Sequence, residues 1–241
     1  MDLGIESRVA LVTASSRGLG RASAEALAAE GVRLVVSARG AESLHEAEKE
    51  LTAAGADVLG IVADVTDPEI PERLVTATVE RFGRIDILVA NAGGPPPGRA
   101  LEVEDDAIRV AVEANLLSAV RLTRAAVPHM RTEKWGRICC ISSYSIVQPL
   151  PGLALSNTAR AGLWAWAKTA AADLAAEGSG ITLNLVCPGP HATDRMRELG
   201  GSGPMGDPSD FGQVVAFICS RQAAFVSGAA LVVDGGATLA L

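Results

Sequence analysis

The stretch that most constrains the fold is Val9-Ala10-Leu11-Val12-Thr13-Ala14-Ser15-Ser16-Arg17-Gly18-Leu19-Gly20-Arg21-Ala22. A four-residue apolar run ends in a turn of small residues, and the turn opens a helical pattern that continues through Ala24, Leu27 and Ala28. Strand, glycine turn and helix in that order place a helix N-terminus under a phosphate group. The first N–H groups of such a helix lack intrahelical partners, and the helix dipole favours an anion there. Gly18 and Gly20 carry no Cβ, so the backbone can come close to a pyrophosphate. A glycine turn alone is a weak signal, and its place directly after the first strand strengthens it.

Downstream, short apolar runs alternate with helical patterns about seven times. Strands are expected at Val32 to Ser37, Val58 to Val62, Ile85 to Ala90, Arg137 to Ser142, Ile181 to Cys187 and Ala229 to Val233. Helices are expected at Ala41 to Ala54, Pro68 to Phe82, Asp105 to Met130, Ser156 to Ala176 and Phe211 to Ser220. The strands are near-continuous apolar runs, as they are when both sheet faces are covered. The pattern implies an α/β fold, a Rossmann-type doubly wound parallel sheet in one domain spanning residues 1–241, with ligands at the C-terminal strand ends.

The 49% apolar content supplies a large core. A formal net charge of −7 without a basic run argues against nucleic acid and against an anionic membrane surface. No apolar stretch is long enough to span a bilayer. The acidic start Met1-Asp2-Leu3-Gly4-Ile5-Glu6 lacks a secretion signal's basic and apolar regions, so a cytoplasmic location is expected. Cys139, Cys140, Cys187 and Cys219 sit in apolar runs without metal-ligand spacing and read as buried, reduced thiols; no metal site is expected.

The end of the second strand bears on nucleotide choice. An acidic residue there would accept from a free ribose 2′-hydroxyl. This chain has Arg39, whose guanidinium suits a 2′-phosphate, with Arg17 in the glycine turn as a second cation. NADP(H) is therefore expected over NAD(H). Asp64, after the third strand, is placed to accept from an adenine amino group, and Asn91-Ala92-Gly93 leaves room for a ribose.

These motifs, in order and spacing over nearly the whole chain, resemble the short-chain dehydrogenase/reductase family. Thr13 to Gly20, with Ser15, Ser16, Arg17, Gly18 and Leu19 between, resembles its T-G-x-x-x-G-x-G turn, with Ala14 in place of the first glycine. Asp64-Val65 resembles its adenine pair, and Asn91-Ala92-Gly93 its N-A-G motif. Asn115 and Ser143 fall where the family has its helix asparagine and catalytic serine. Pro188-Gly189 and Thr193 resemble the P-G-x-x-x-T segment on the nicotinamide side, and Ser227 to Gly236 the C-terminal strand motif.

The departure is at the chemical centre. Where the family carries Y-x-x-x-K, this chain reads Ser156-Asn157-Thr158-Ala159-Arg160, in a register fixed by the following Ala161-Gly162-Leu163. A serine is a far poorer acid than the family's tyrosine, and arginine is effectively always protonated, so it holds hydroxyls or an alkoxide without donating a proton. Losing a general acid is worth about 10²–10⁴-fold and does not forbid hydride transfer.

The resemblance implies an NADP(H)-dependent oxidoreductase interconverting a small-molecule carbonyl and alcohol, similar to 3-oxoacyl-carrier-protein reductases or ketoreductases. Ser143 and Ser156 would hold the carbonyl, and Asn115 and Arg160 would order ribose and water. The proton would come from water, from substrate, or from a displaced donor such as Tyr144 or His191. The alternatives are a catalytically degenerate NADP(H)-binding partner or sensor, and a different reaction such as isomerisation on the same scaffold. The stretches Pro95 to Arg99, Ser145 to Leu155 and His191 to Met205 are mostly small or apolar, which suggests an uncharged substrate face. The Pro190 to Ser209 segment, where the family forms its substrate lid, is short and implies a shallow or open pocket. The helix carrying Trp164 and Trp166 corresponds to a family dimer interface, and a homotetramer is expected, with a dimer as the alternative.

Overall fold

The computed structural model describes residues 1–240. Leu241, the last residue of the expected domain, lies outside them. Seven parallel strands form one sheet in the order β3-β2-β1-β4-β5-β6-β7. They are β1 (Val9–Val12), β2 (Arg33–Ala38), β3 (Val58–Val62), β4 (Ile87–Ala90), β5 (Gly136–Ile141), β6 (Ile181–Pro188) and β7 (Ala230–Val233). The helices are α1 (Gly18–Ala29), α2 (Ala41–Ala53), α3 (Ile70–Phe82), α4 (Asp105–Val112), α5 (Ser118–Thr132), α6 (Ala154–Ala176), α7 (Asp194–Glu198) and α8 (Pro208–Ile218). Every expected strand forms within a residue or two of its expected ends.

The strand pleat divides the apolar runs between two cores. Leu11, Leu88, Ala90 and Cys140 face a core completed by Leu74 of α3, Leu122 of α5 and Leu163 of α6. Val12, Val89, Cys139 and Ile141 face another, completed by Leu27 of α1, Leu44 of α2 and Phe211 of α8. The continuous runs thus follow from helices on both faces. Strand order reverses at β1, which pairs with β2 on one side and β4 on the other. A crevice opens at the C-terminal ends of strands at such a point.

The structure departs from the expected single helix Asp105 to Met130. α4 and α5 are joined by a π turn, Glu113–Leu117, with one extra residue in its hydrogen-bonded ring. Single π turns inside α-helices recur at functional sites, because the bulge re-aims a side chain. Here the re-aimed stretch carries Asn115. The short α7 was not expected; its N-cap Thr193 accepts from the Met196 N–H. Among the described residues, no helix is long and apolar enough to cross a membrane.

Candidate active site

The glycine turn is held from behind. Thr13 Oγ1 donates to the Asn91 carbonyl at 2.8 Å and accepts from the Asn91 N–H at 2.9 Å, which ties the ends of β1 and β4 together. Asn91 Nδ2 donates to the Ala14 carbonyl at 3.2 Å. A Cβ on Gly20 would lie 2.4 Å from that same carbonyl oxygen, so the turn closes only around glycine. Ala14 sits at φ +47°, the left-handed region, where the family's glycine would be relaxed. No side chain caps α1, whose first N–H groups face the mouth of the crevice. Thr193 approaches Gly18 from above, its methyl group 3.7 Å from where a Cβ would stand. A cleft of about 270 Å³ lies beside this turn, walled by Gly18, Arg21, Thr193, Asp194 and Arg197 among others.

Ser15 corrects the sequence reading. Its hydroxyl is fully buried, donates to the Val12 carbonyl at 2.8 Å and accepts from the Ser37 N–H at 3.1 Å. The side chain ties β1 to β2 and is not available to a cofactor. Ser16 and Leu19 are half-buried in the turn, and Arg17 is exposed. Arg39, 75% exposed, stands 3.8 Å from Asp64 across the ends of β2 and β3. Asp64 also accepts from the Thr66 N–H and hydroxyl, and Val65 is buried behind it. The two residues singled out for the adenosine end therefore share one location, as a loose pair of exposed side chains. An uncapped helix N-terminus, a glycine turn without room for Cβ, and an open guanidinium beyond β2 fit a dinucleotide carrying a 2′-phosphate.

The chemical end lies beyond β4 and β5. Asn115 is 4% exposed; its Nδ2 donates to the Gly93 carbonyl at 2.9 Å, and its Oδ1 has no partner within the protein. Arg160 is 8% exposed and lines the same small cavity with Asn91, Ala92, Ser118 and Leu163. That cavity, about 10 Å³, is on the scale of a single water. The Arg160 guanidinium turns inward: Nη1 donates to the carbonyls of Ile141 and Ser142 at 3.0 and 2.9 Å. Burial pulls its pKa down to about 10, so it stays charged near neutrality. Ser143 follows directly, half-buried, its hydroxyl accepting from the Ser145 N–H at 3.1 Å in a short 3₁₀ turn, Tyr144–Ile146. Ser156 sits one helical turn before Arg160 and shares its face of α6. Asn115 and Arg160 thus line one cavity, and Arg160 clamps the end of β5 just before Ser143.

Cys187 stands behind the serine loop. Burial pushes its thiol up to about 12, against the opposing pull of the Ser143 N–H, Arg160 and the Ser142 hydroxyl. All four cysteines are buried and unpaired.

The two displaced-donor candidates fare poorly. His191 is 4% exposed; its Nδ1 is 3.0 Å from the Gly189 carbonyl, and its ring stands edge-on to Phe211 at 5.3 Å. Phe211 belongs to the core on the α1 and α8 face, whereas Arg160 packs from α6 on the other. The His191 ring is a packing element against Phe211. Tyr144 is half-buried, and both burial and the charge of Asp234 push its phenol up, making it a weaker acid. A family tyrosine beside an ammonium shifts the opposite way.

Pro188 ends β6, and Gly189 is needed for contact with β7. Its N–H donates to the Val233 carbonyl, and a Cβ would lie 2.4 Å from Asp234 Cβ. The sequence reading missed Arg195. It lies on α7 and reaches across the cleft to donate to the Pro95 carbonyl. No spacing rule singles out one arginine in a polar segment. Among the described residues, no three His, Cys, Asp or Glu side chains gather as metal ligands.

This arrangement defines a class: a doubly wound dinucleotide-binding domain with a polar, partly dry centre at its strand ends. The model of a family described as enoyl-(acyl carrier protein) reductase matches residues 13–238. The 3-oxoacyl-(acyl-carrier-protein) reductase FabG of Escherichia coli is 34% identical over 245 residues, covering 97% of this chain and 98% of that protein. Human dehydrogenase/reductase SDR family member 4 is 33% identical, covering 96% of this chain and 88% of that protein. Two solved structures are also similar. L-sorbose reductase from Gluconobacter frateurii, complexed with NADPH and L-sorbose, has a TM-score of 0.93 and 33% identity over all of both chains. The actinorhodin polyketide ketoreductase with NADPH has a TM-score of 0.89 and 34% identity, over 95% of this chain and 97% of that one. The chain belongs to the short-chain dehydrogenase/reductase family.

Proposed function

We propose that the protein is a cytoplasmic NADPH-dependent carbonyl reductase of small molecules with an atypical centre. The observation that carries this is Asn115, anchored on the Gly93 carbonyl and lining one small cavity with Arg160, together with an uncapped glycine turn and an exposed Arg39 after β2. NADPH, when bound, supplies the hydride. Ser143 and Ser156 hold the substrate oxygen by hydrogen bonds. Arg160, a buried cation fixed on β5, stabilises the oxyanion that develops there electrostatically. Because the Tyr144 phenol is a weakened acid and His191 is packed away, the proton comes from solvent at the cleft mouth. The similar proteins include reductases solved with NADPH, which supports the cofactor and the reaction class.

A second reading is supported by Arg160 itself. Its Nη1 is spent on main-chain carbonyls, as it would be in a cofactor-binding partner that performs no chemistry. The test is loss of NADPH absorbance against a panel of ketones and aldehydes, with NADH in parallel. Turnover that favours NADPH supports the reductase. Tight NADPH binding with no turnover across the panel favours the binding partner. A preference for NADH refutes the assignment of Arg39 to a 2′-phosphate.

We also propose a homotetramer, with a dimer as the alternative. Val110 of α4 and Trp164 of α6 are exposed, while Trp166 packs inward. Phe217 of α8, Phe225 in the following loop and Leu231 of β7 are exposed as well. Two separate apolar faces suit two kinds of subunit contact.

A further inference from the structure

Arg195 is the cation that neither the cofactor assignment nor the catalytic group uses. It lies two residues beyond Thr193, which faces Gly18 on the phosphate side of the cleft. From there its side chain runs to the other side. Its Nε is 3.3 Å from where Gly94 would carry a Cβ, and Nη2 donates to the Pro95 carbonyl. Gly93, one residue before Gly94, is the residue whose carbonyl holds Asn115. The guanidinium therefore stands over the chemical end of the crevice rather than over the glycine turn. Its charge is felt by buried Arg160.

Its countercharge is poor. The nearest carboxylate, Glu198, is 3.6 Å away on the same short helix, and both side chains are well exposed at 39% and 57%. Such a pair is screened and contributes little. Asp194, the other acid on α7, is taken by Arg197. The stretches Pro95 to Arg99 and Ser145 to Leu155 contain no acidic residue. Arg195 thus has only a weak, exposed countercharge on α7, and Asp234, whose charge reaches Tyr144, is held by the Gly236 and Thr238 N–H groups. Gly94 matters to this, since a Cβ there would crowd the Arg195 head group. Arg195 places a cation in the His191 to Met205 stretch, from which an uncharged substrate face is expected.

We propose that Arg195 binds an anionic group on the substrate, so that the preferred carbonyl compound carries a carboxylate or a phosphate a few bonds from the reacting carbon. A guanidinium held at one corner by the Pro95 carbonyl keeps donors free for an incoming anion and is already oriented. This inference rests on the reductase reading and adds the substrate class to it. Arg195 is a specificity-determining residue, distinct from the cations at Arg17 and Arg39.

The test compares matched pairs with wild type and Arg195→Met. Acetoacetate is set against ethyl acetoacetate, and dihydroxyacetone phosphate against dihydroxyacetone, each by NADPH oxidation at several concentrations. The wild type is expected to favour one anionic member by about ten- to a hundred-fold in kcat/KM, and the pair showing it tells carboxylate from phosphate. In Arg195→Met that ratio collapses towards one, mainly through KM, and Arg195→Lys restores part of it. A ratio that is the same in both proteins, or a wild type without anion preference, overturns the proposal. So does an Arg195→Met protein whose only defect is weaker NADPH binding. If the wild type binds NADPH but reduces nothing, the reductase reading fails by itself. Calorimetric titration of acetoacetate and dihydroxyacetone phosphate into the NADP⁺ complex then decides the role of Arg195: binding lost in Arg195→Met supports it, and no binding to wild type refutes it.

Discussion

At the scale of single residues, two departures from the family pattern, at Ala14 and at the pair Ser156 and Arg160, invite reversal. Ala14 holds φ +47°, a conformation that costs an L-residue about 1–2 kcal/mol. Glycine removes that cost but loses about 0.5–1 kcal/mol through its freer unfolded chain. Ala14→Gly is therefore expected to stabilise by up to about 1 kcal/mol, raising Tm by about 2–4 °C in a chain of this size. A thermal melt that is unchanged or lower would show the turn to be relaxed around alanine. The second reversal is the pair Ser156→Tyr with Arg160→Lys, which restores a phenol beside an ammonium on one face of α6. If the centre is a reductase lacking only its general acid, kcat on its own substrates rises by about 10²–10⁴-fold. Arg160→Lys alone does not reproduce this, because no acid is added and one clamp on β5 weakens. A double variant that still turns over nothing while binding NADPH normally points to the non-catalytic reading.

At the scale of elements, the cofactor end depends on how closely α8 packs on α1. Gly212 of α8 lies against the α1 backbone: a Cβ there would fall 2.3 Å from the Ala22 carbonyl oxygen and 3.3 Å from Ala26 Cβ. Backbone on one side and a short side chain on the other leave nothing flexible to yield. Gly212→Ala is expected to cost about 1–3 kcal/mol or more by pushing the helices apart. Because α1 begins at the glycine turn, NADPH affinity should fall with it, whereas a surface change such as Lys49→Ala should alter neither. Denaturant unfolding and a fluorescence titration of NADPH read the two effects on one sample. Full stability and affinity in Gly212→Ala would mean that α8 re-seats freely. Elements also mark where sequence stops being informative. The strands were legible because buried runs have one period and one composition. The π turn at Asn115 was not, because residues 105–130 keep a helical pattern throughout and the extra residue shows only in the hydrogen bonds.

At the scale of the molecule, local patterns place residues near the cleft without saying which way they face. Thr13, Gly20, Asn91 and Asn115 could be placed by motif, since each has one role in a short local geometry. Ser15, His191 and Arg195 could not, because their partners Ser37, Phe211 and Pro95 come from distant parts of the chain. The same non-local logic governs assembly. Phe217 of α8, Phe225 in a loop and Leu231 of β7 are exposed, as are Val110 of α4 and Trp164 of α6. The sheet edge at β7 has unpaired backbone groups on its outer side, a surface that folded proteins normally cover. If each face joins a different pair of subunits, removing one leaves the other intact. Sedimentation is then expected to give a tetramer for wild type, a dimer for Phe217→Glu, a dimer for Val110→Glu, and a monomer when both are changed. Equal sedimentation of wild type and Phe217→Glu would remove the β7 edge from the assembly and leave the dimer through α4 and α6 as the oligomer. A monomeric wild type would refute both contacts. None of these exposed residues lines the cleft beside the glycine turn, so each single variant that folds should retain its NADPH binding, which separates loss of assembly from loss of structure.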